Sequence, residues 1–204
     1  MDAAKREPSD QEVVLVDEAG AAVGVGRKSA VHHRHTPRHL AFSCYAFDEQ
    51  ARLLVTTRAL TKTSFPGLTT NTVCGHPMPG EPIHHAVQRR ALAELGLVVE
   101  RLTLVLPDFA YDATMGDIRE YEACPVFVAA IPAQARLDPD PAEVHEVHWE
   151  AWASFRDGVL TGHRHVSPWC AMQVGLLDAL GPDPGKWPAG DPGRLPPAAW
   201  GTQR

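Results

Sequence analysis

The sequence predicts an α+β sandwich, because short β-strands come first, one helix lies between later strands, and a second helix follows the last of them. Hydrophobic residues make up 44% of the 204 residues and charged residues 22%, which is the composition of a folded globular protein. At roughly 150 residues per domain, a chain of this length is predicted to form one domain with extensions.

We divide the chain into a flexible N-terminus over residues 1–11, a domain over residues 12–180 and a C-terminal tail over residues 181–204. The tail is rich in proline and glycine, so we expect neither helix nor sheet there. Because it carries Trp187 and Trp200, we expect it to lie over the domain.

The strands are predicted from runs of branched, aromatic and alternating residues that are bounded by turn formers. These runs are residues 13–17, 21–26, 40–47, 52–57, 102–107, 121–131 and 144–152.

One helix is predicted to run from Pro82 to Leu95. Proline is tolerated in a first helical turn, apolar residues recur there every four positions, and Gly96 stops the helix. A second helix is predicted from Pro168 to about Leu180.

Charge and composition exclude several classes of function. The net charge of −6 argues against general binding to nucleic acid or to an anionic membrane. No apolar run reaches the roughly 18 residues of a membrane span, and the N-terminus lacks the apolar core of a secretory signal. The four cysteines include no CxxC pair, which favours reduced thiols in a cytoplasmic protein.

The segment TNTVCGHPMPGE, residues 70–81, places reactive groups directly before the first predicted helix. Cys74 and His76 put a thiol and an imidazole two residues apart in a loop rich in glycine and proline. The helix N-terminus nearby favours anionic groups, including a thiolate. Taken alone, Cys74 also fits an inert buried thiol beside a surface turn.

The spacing from Gly75 through Glu81 and Arg89 to Glu94 resembles the Nudix box, a loop–helix–loop that presents carboxylates to a metal bound to a diphosphate. Glu94 lies seven residues beyond Val87, so the two side chains project from nearly the same helix face. Oxygen ligands on that face suit magnesium, which shares its coordination shell with substrate phosphates.

Two glutamates of the hydrolase form of this box are missing, because Arg90 and Ala93 stand in their places. A Nudix hydrolase needs those carboxylates to activate water. The resemblance therefore implies the Nudix α/β/α sandwich, with mixed and antiparallel sheets, without the hydrolysis.

Two further clusters have the composition of metal ligands. His32 and His39 flank the entrance to the first long predicted strand, and Glu120 and Glu122 alternate on a later one. A period of two puts both carboxylates on one sheet face, where like charges repel unless a cation lies between them. Each cluster, taken alone, also fits a solvated surface.

These segments occur in the same order in the type I isopentenyl-diphosphate isomerases, a family of Nudix-fold enzymes, which the chain resembles over roughly residues 13 to 180. The most specific segment is TNTVCGHP followed by the altered Nudix helix. The others are HLAFS from His39, RALTK from Arg58, REYEACPVF around Glu122, and SPW ending at Trp169.

The resemblance implies a divalent metal bound by three imidazoles and two carboxylates, namely His32, His39, His76, Glu120 and Glu122. Manganese, zinc and magnesium all suit this set of ligands. It also implies that Glu94 helps to hold a second ion, magnesium, which contacts the diphosphate of the substrate.

The remaining implied roles concern the substrate. Cys74 and Glu122 would form the catalytic acid–base pair, Tyr111 would hydrogen-bond near the carboxylates, and Trp169 would face the pocket with its π-system. The diphosphate would be contacted by four cationic side chains: Lys28, Arg58, Lys62 and Arg90.

The implied reaction interconverts isopentenyl and dimethylallyl diphosphate in isoprenoid biosynthesis. Moving the double bond requires protonation of an unactivated alkene, and the resulting tertiary carbocation must be kept from water. One acid delivers a proton, and a base on the opposite side removes another from C2. The expected partner is a small prenyl diphosphate, without nucleic acid or membrane, and the expected state is a monomer or weak dimer.

A departure from the family keeps an alternative open, because Thr69 stands where the family usually has a tryptophan. The alternative is a related enzyme that protonates a different or longer prenyl diphosphate in specialised terpenoid metabolism. A Nudix pyrophosphohydrolase fits less well because of Arg90 and Ala93. An inactive metal-binding or scaffolding domain also fits less well, since Cys74, Glu122 and the three histidines are all present.

Overall fold

The computed structural model describes residues 11–201, so the flexible N-terminus that we expected lies, except for residue 11, outside the described residues. Within that range the chain forms twelve β-strands and four α-helices. The strands are β1 Glu12–Val16, β2 Ala22–Arg27, β3 His39–Leu40, β4 Phe42–Phe47, β5 Arg52–Arg58, β6 Thr69–Thr70, β7 Val73–Gly75, β8 Leu102–Leu106, β9 Ala110–Met115, β10 Ile118–Ala123, β11 Val126–Ala130 and β12 Val144–Ala151. The helices are α1 Lys28–Val31, α2 Ile83–Leu95, α3 Trp152–Leu160 and α4 Pro168–Asp178.

The strands form two mixed sheets. The first has five strands in the order β2-β1-β3-β10-β9, and the second has seven, with β12-β5-β4-β11-β8 as its path, β6 on β5 and β7 on β4. Two pairings are parallel, β3 with β10 and β4 with β11. The sheets are therefore mixed, as the sequence predicted.

Strand β4 shows how the helices sandwich the second sheet. Phe42, Cys44 and Ala46 face a core that contains the apolar side of α2. Tyr45 and Phe47 face a second core that contains the apolar sides of α3 and α4. Because successive side chains of a strand point to opposite faces, one buried strand supplies both cores. Every helix among residues 11–201 is too short or too polar to cross a lipid bilayer.

The helix predicted from Pro82 to Leu95 is present as α2. It ends at Gly96, whose φ of 63° is the left-handed conformation that glycine adopts most easily at a helix end. The helix predicted from Pro168 is α4, which ends at Asp178.

One predicted strand, residues 121–131, is wrong as a single element. The structure divides it into β10 and β11, which belong to different sheets. Pro125 lies between them and has no N–H to donate to a ladder, so the chain leaves one sheet there and enters the other.

The C-terminal tail lies over the domain. It contains three short 3-10 helices, Pro184–Lys186, Pro192–Arg194 and Pro197–Trp200, where we had expected no helix. Trp187 packs edge-to-face against Phe47 and Trp152, with ring centroids 5.7 Å and 5.3 Å away. The backbone N–H of Gly190 donates to the carbonyl of Leu104 at 2.8 Å, which ties the tail to β8.

Replacing Trp187 by alanine is expected to lower the free energy of unfolding by about 3 kcal/mol, because it removes a large buried ring from the second core. Urea denaturation measures this change. Trp200→Ala is the matched control: Trp200 is 51% exposed, against 7% for Trp187, so its loss should cost under about 1 kcal/mol. Equal losses of unfolding free energy in the two variants would contradict the packing of Trp187 against the second core.

Candidate active site

One cavity of about 350 Å³ is lined by residues from both sheets and from helices α1, α2 and α4. Eleven of the thirteen site residues predicted from the sequence line it. His39 does not line the cavity, and its side chain is fully buried. Glu94 instead lines a smaller adjoining cavity of about 30 Å³. The eleven are Lys28, His32, Arg58, Lys62, Cys74, His76, Arg90, Tyr111, Glu120, Glu122 and Trp169.

Four of the predicted metal ligands form one group. One potential ligand atom from each of His32, His39, His76 and Glu122 lies within 4.8 Å of the others. The fold explains this convergence, since the parallel pairing of β3 with β10 sets His39 opposite Glu122. His32 comes directly after α1 and His76 directly after β7.

The donor chemistry of this group fits a divalent cation. The Nδ1 atoms of His32 and His39 lie 3.2 Å and 2.9 Å from backbone carbonyl oxygens, to which they donate. That hydrogen bond fixes the ring and leaves Nε2 as the ligand atom. Among the described residues, His39 Nε2 and His76 Nδ1 are buried without a hydrogen-bond partner, although His39 Nε2 is 3.2 Å from Glu122 Oε1. Buried nitrogens without partners are costly, and a cation held by this group would satisfy His39 Nε2.

The charges in this group are set by burial and by mutual contact. Burial alone would raise the pKa of Glu122, but the imidazoles of His39 and His76 hold that pKa well below its usual range. Burial lowers the pKa of His76 to about 3 and also lowers the pKa of His32. His39 differs, because its contact with Glu122 outweighs burial and raises its pKa. Glu122 is therefore an ionised carboxylate, the form in which it can bind a cation.

The other two predicted ligands lie outside the group of four. Glu120 shares the cavity wall, and its Oε2 accepts a hydrogen bond of 2.7 Å from the Tyr111 hydroxyl. Glu94 accepts a hydrogen bond of 2.9 Å from Arg90 Nε.

Cys74 lies on β7, where it pairs with Ser43 of β4. Its Sγ donates to Asn71 Oδ1 at 3.1 Å and lies 3.5 Å from Ser43 Oγ. Burial raises the pKa of the Cys74 thiol to about 11, so the sulfur carries its proton at neutral pH. Glu122 lines the same cavity from the other sheet, which gives the cavity a thiol and a carboxylate.

Four cations line the same cavity: Lys28, Arg58, Lys62 and Arg90. Burial, together with the charges of Arg90 and Lys62, lowers the pKa of Lys28 to about 8. Such a concentration of positive charge suits a polyanionic ligand such as a diphosphate.

Sequence analysis missed Glu143, which forms ion pairs with Lys62 and, at 3.3 Å, with Arg90 Nη2. Burial would raise its pKa, but Lys62 and Arg90 lower it to about 2. Its surroundings in the sequence, DPAEV, resemble an ordinary acidic turn and gave no signal of this role.

Thr69, which stands where the family usually has a tryptophan, lies on β6, and among the described residues it is not part of the cavity lining. Its backbone carbonyl accepts a hydrogen bond of 2.9 Å from the N–H of Ser167.

Comparison with known proteins agrees with the fold and with the resemblance seen in the sequence. A family model described as the NUDIX domain matches residues 37–170. The isopentenyl-diphosphate Delta-isomerase of Saccharopolyspora erythraea is 48% identical over 190 residues, which cover 93% of this chain and 97% of that protein. The enzyme of the same name from Rhizobium rhizogenes is 45% identical, over 94% of this chain and 91% of that protein.

Solved structures support the fold alone. The crystal structure of DR0079 from Deinococcus radiodurans covers 81% of this chain and 98% of that chain, with a TM-score of 0.63 at 18% identity. The MutT protein from Methanosarcina mazei Go1 covers 70% and 94%, with a TM-score of 0.56 at 15% identity. The predicted Nudix-like α+β sandwich is thus confirmed, and the chain belongs to the Nudix superfamily and, within it, to the isopentenyl-diphosphate Delta-isomerase family.

Proposed function

We propose that this protein interconverts isopentenyl diphosphate and dimethylallyl diphosphate, with Cys74 and Glu122 as its acid–base pair. The observation that carries the proposal is that these two side chains reach one cavity from different sheets, beside a wall of four cations. Relatives that carry the isomerase name match nearly the whole chain, which favours the five-carbon substrate over a longer prenyl chain.

The group formed by His32, His39, His76 and Glu122 would hold a divalent cation, either manganese, zinc or magnesium. Glu120, which lines the same cavity, would be the fifth ligand. When bound, such an ion supplies positive charge that fixes a carboxylate in place and biases its affinity for protons. Glu94 would help to hold a magnesium ion that accompanies the substrate diphosphate.

The diphosphate would bind to Lys28, Arg58, Lys62 and Arg90. Because these cations hold the charged end of the substrate, their binding energy can fix the five-carbon tail against Cys74 and Glu122. Arg90, which replaces a hydrolase carboxylate, serves here as a phosphate-binding cation.

One member of the Cys74–Glu122 pair adds a proton to C4, and the electrons of the C=C bond form the new C–H bond, which leaves a tertiary cation at C3. The other member removes a proton from C2, and the C–H electrons form the new C=C bond. Because the reaction is reversible, each group acts as acid in one direction and as base in the other. The ring of Trp169, which is 2% exposed, can stabilise the cation by about 2 kcal/mol and helps to keep water out.

Incubation with isopentenyl diphosphate and magnesium in deuterated water is expected to yield dimethylallyl diphosphate that carries deuterium, measured by mass spectrometry. Cys74→Ala is expected to lower turnover at least about a thousandfold, because it removes one of the two proton-transfer groups. Glu122→Gln should have a similar effect. Cys44→Ala, which removes a buried thiol from the core beside α2, is the control and should retain turnover.

Release of phosphate or pyrophosphate in place of isomerisation would indicate a hydrolase. Conversion of longer prenyl diphosphates without conversion of the five-carbon substrate would support the alternative substrate. Wild-type turnover in both Cys74→Ala and Glu122→Gln would exclude this acid–base pair.

Removal of divalent metal by a chelator is expected to lower the melting temperature, and manganese or zinc should restore it. At a metal concentration about 100 times Kd, binding stabilises the fold by about 2.7 kcal/mol, which corresponds to roughly 5–10 °C for a chain of this size. Differential scanning fluorimetry measures the shift, and His39→Ala should abolish it. His84→Ala is the control, since His84 is exposed on α2, and an equal metal-induced shift in both variants would contradict this site.

Glu143→Gln is expected to bind inorganic pyrophosphate about fivefold more tightly than the wild type. Glu143 contributes a negative charge beside Lys62 and Arg90, and its removal leaves the wall more positive. Isothermal titration calorimetry without added metal measures the change. Glu146→Gln removes an exposed carboxylate from nearby β12 and should leave Kd unchanged, and weaker binding in Glu143→Gln would show that Glu143 mainly orients the cations.

A further inference from the structure

A chain of buried polar side chains leads from the core to Cys74. Ser43, Tyr45 and Gln173 are fully buried, from β4 and α4. The Tyr45 hydroxyl donates to Gln173 Oε1 at 2.9 Å, and Gln173 Nε2 donates to Ser43 Oγ at 2.9 Å. Ser43 Oγ lies 3.5 Å from Cys74 Sγ.

The order of donors and acceptors fixes the direction of the last hydrogen bond. The tyrosine hydroxyl turns the amide oxygen of Gln173 toward itself, so the amide nitrogen faces Ser43. Because Ser43 Oγ accepts from that nitrogen, its own hydrogen is available for a sulfur atom. Two sulfurs lie at 3.5 Å from Ser43 Oγ, those of Cys74 and Cys124.

Cys74 meets a fixed acceptor at Asn71. The Asn71 Nδ2 donates to the backbone carbonyls of Cys44 and Val73, each at 3.0 Å, which sets the orientation of the amide. Asn71 Oδ1 therefore faces the Cys74 thiol and accepts a hydrogen bond of 3.1 Å from it. Trp169 Nε1 also donates to Asn71 Oδ1, at 3.3 Å.

We propose that Ser43, oriented by Gln173 and Tyr45, is a positioning residue that donates a hydrogen bond to the Cys74 sulfur once that sulfur has transferred its proton. Asn71 would accept from the thiol, whose sulfur Ser43 already contacts, and the hydrogen bond from Ser43 would strengthen when the thiolate forms. The sulfur therefore has a partner in both halves of the reaction. The proton moves between sulfur and substrate carbon, and Ser43 keeps its own hydrogen throughout. This inference rests on the proposed function of Cys74.

Ser43→Ala retains the other groups that act on Cys74. The charged ones are Arg58 from β5 and Glu94 from α2. Ser43→Ala also retains the nearby uncharged groups, which are the thiols of Cys44, Cys124 and Cys170 and the hydroxyl of Tyr45. A difference between Ser43→Ala and the wild type therefore reports on the Ser43 hydroxyl.

Ser43→Ala is expected to lower kcat about tenfold, while KM for isopentenyl diphosphate changes less than about twofold. The reason is that the Ser43 hydroxyl contacts the sulfur and none of the four cations that would bind the diphosphate. Gln173→Met should lower kcat by less, and Tyr45→Phe by least, because they act through Ser43. The matched control is Cys44→Ala, which also removes one buried heavy atom from β4 but on the opposite face, and it should retain the wild-type kcat.

Infrared spectroscopy of the S–H stretch gives a readout independent of turnover. The Cys74 band, assigned by difference against Cys74→Ala, should shift in Ser43→Ala and stay unchanged in Cys44→Ala. A purely structural role for Ser43 would lower stability without this shift and without the selective fall in kcat. If Ser43→Ala does not fold, Gln173→Met tests the same series of hydrogen bonds without altering β4.

The outcomes separate this inference from the proposed function. If Cys74→Ala is inactive while Ser43→Ala and Gln173→Met keep the wild-type kcat and S–H band, the inference is wrong and the proposed function stands. If Cys74→Ala turns over at the wild-type rate, both this inference and the acid–base role of Cys74 are wrong.

Discussion

The burial of the Glu122 carboxylate is the constraint on which the site depends. A buried ionised carboxylate is costly unless positive or hydrogen-bonding groups surround it. Here His39 and His76 approach Glu122 Oε1 to 3.2 Å and 3.0 Å, and His32 completes the group. These residues belong to segments that are far apart in the sequence. The negative charge of Glu122 is therefore stabilised only when β3 pairs with β10 and β7 takes its place in the other sheet.

The same arrangement separates the two side chains that we propose as proton-transfer groups. Glu122 belongs to the five-stranded sheet and Cys74 to the seven-stranded sheet, and the cavity lies where both contribute to its wall. A substrate held there can be approached from two sides, which an allylic shift of a double bond requires. The two-sheet architecture therefore contributes to the proposed reaction, by placing one group on each side, as well as to stability.

Local signals in the sequence predicted α2, α4 and most of the longer strands, and the motifs predicted most of the cavity lining. Strand β9 and helices α1 and α3 were not predicted. The strands and α2 follow from periodicity and caps, which depend on near neighbours in the chain. The motifs TNTVCGHP and REYEACPVF indicated Cys74 and Glu122 as candidate catalytic residues. The division at Pro125 was missed because the continuous apolar run around it looks like one strand. Glu143 and Gln173 were missed because their partners Lys62 and Ser43 lie 81 and 130 residues away, and no local pattern reports such contacts.

The altered Nudix helix shows how a hydrolase scaffold can be converted to another use. Arg90 occupies a position where the hydrolase box has a carboxylate, and it is held between Glu94 and Glu143. A buried guanidinium in this place cannot activate water, since it has no basic atom at neutral pH. A guanidinium can bind phosphate oxygens, and the two carboxylates hold this one at the cavity wall. Under the proposed function, the replacement of a carboxylate by Arg90 removes a basic group and supplies a diphosphate anchor through the same change of charge, while Ala93 removes the second hydrolase carboxylate.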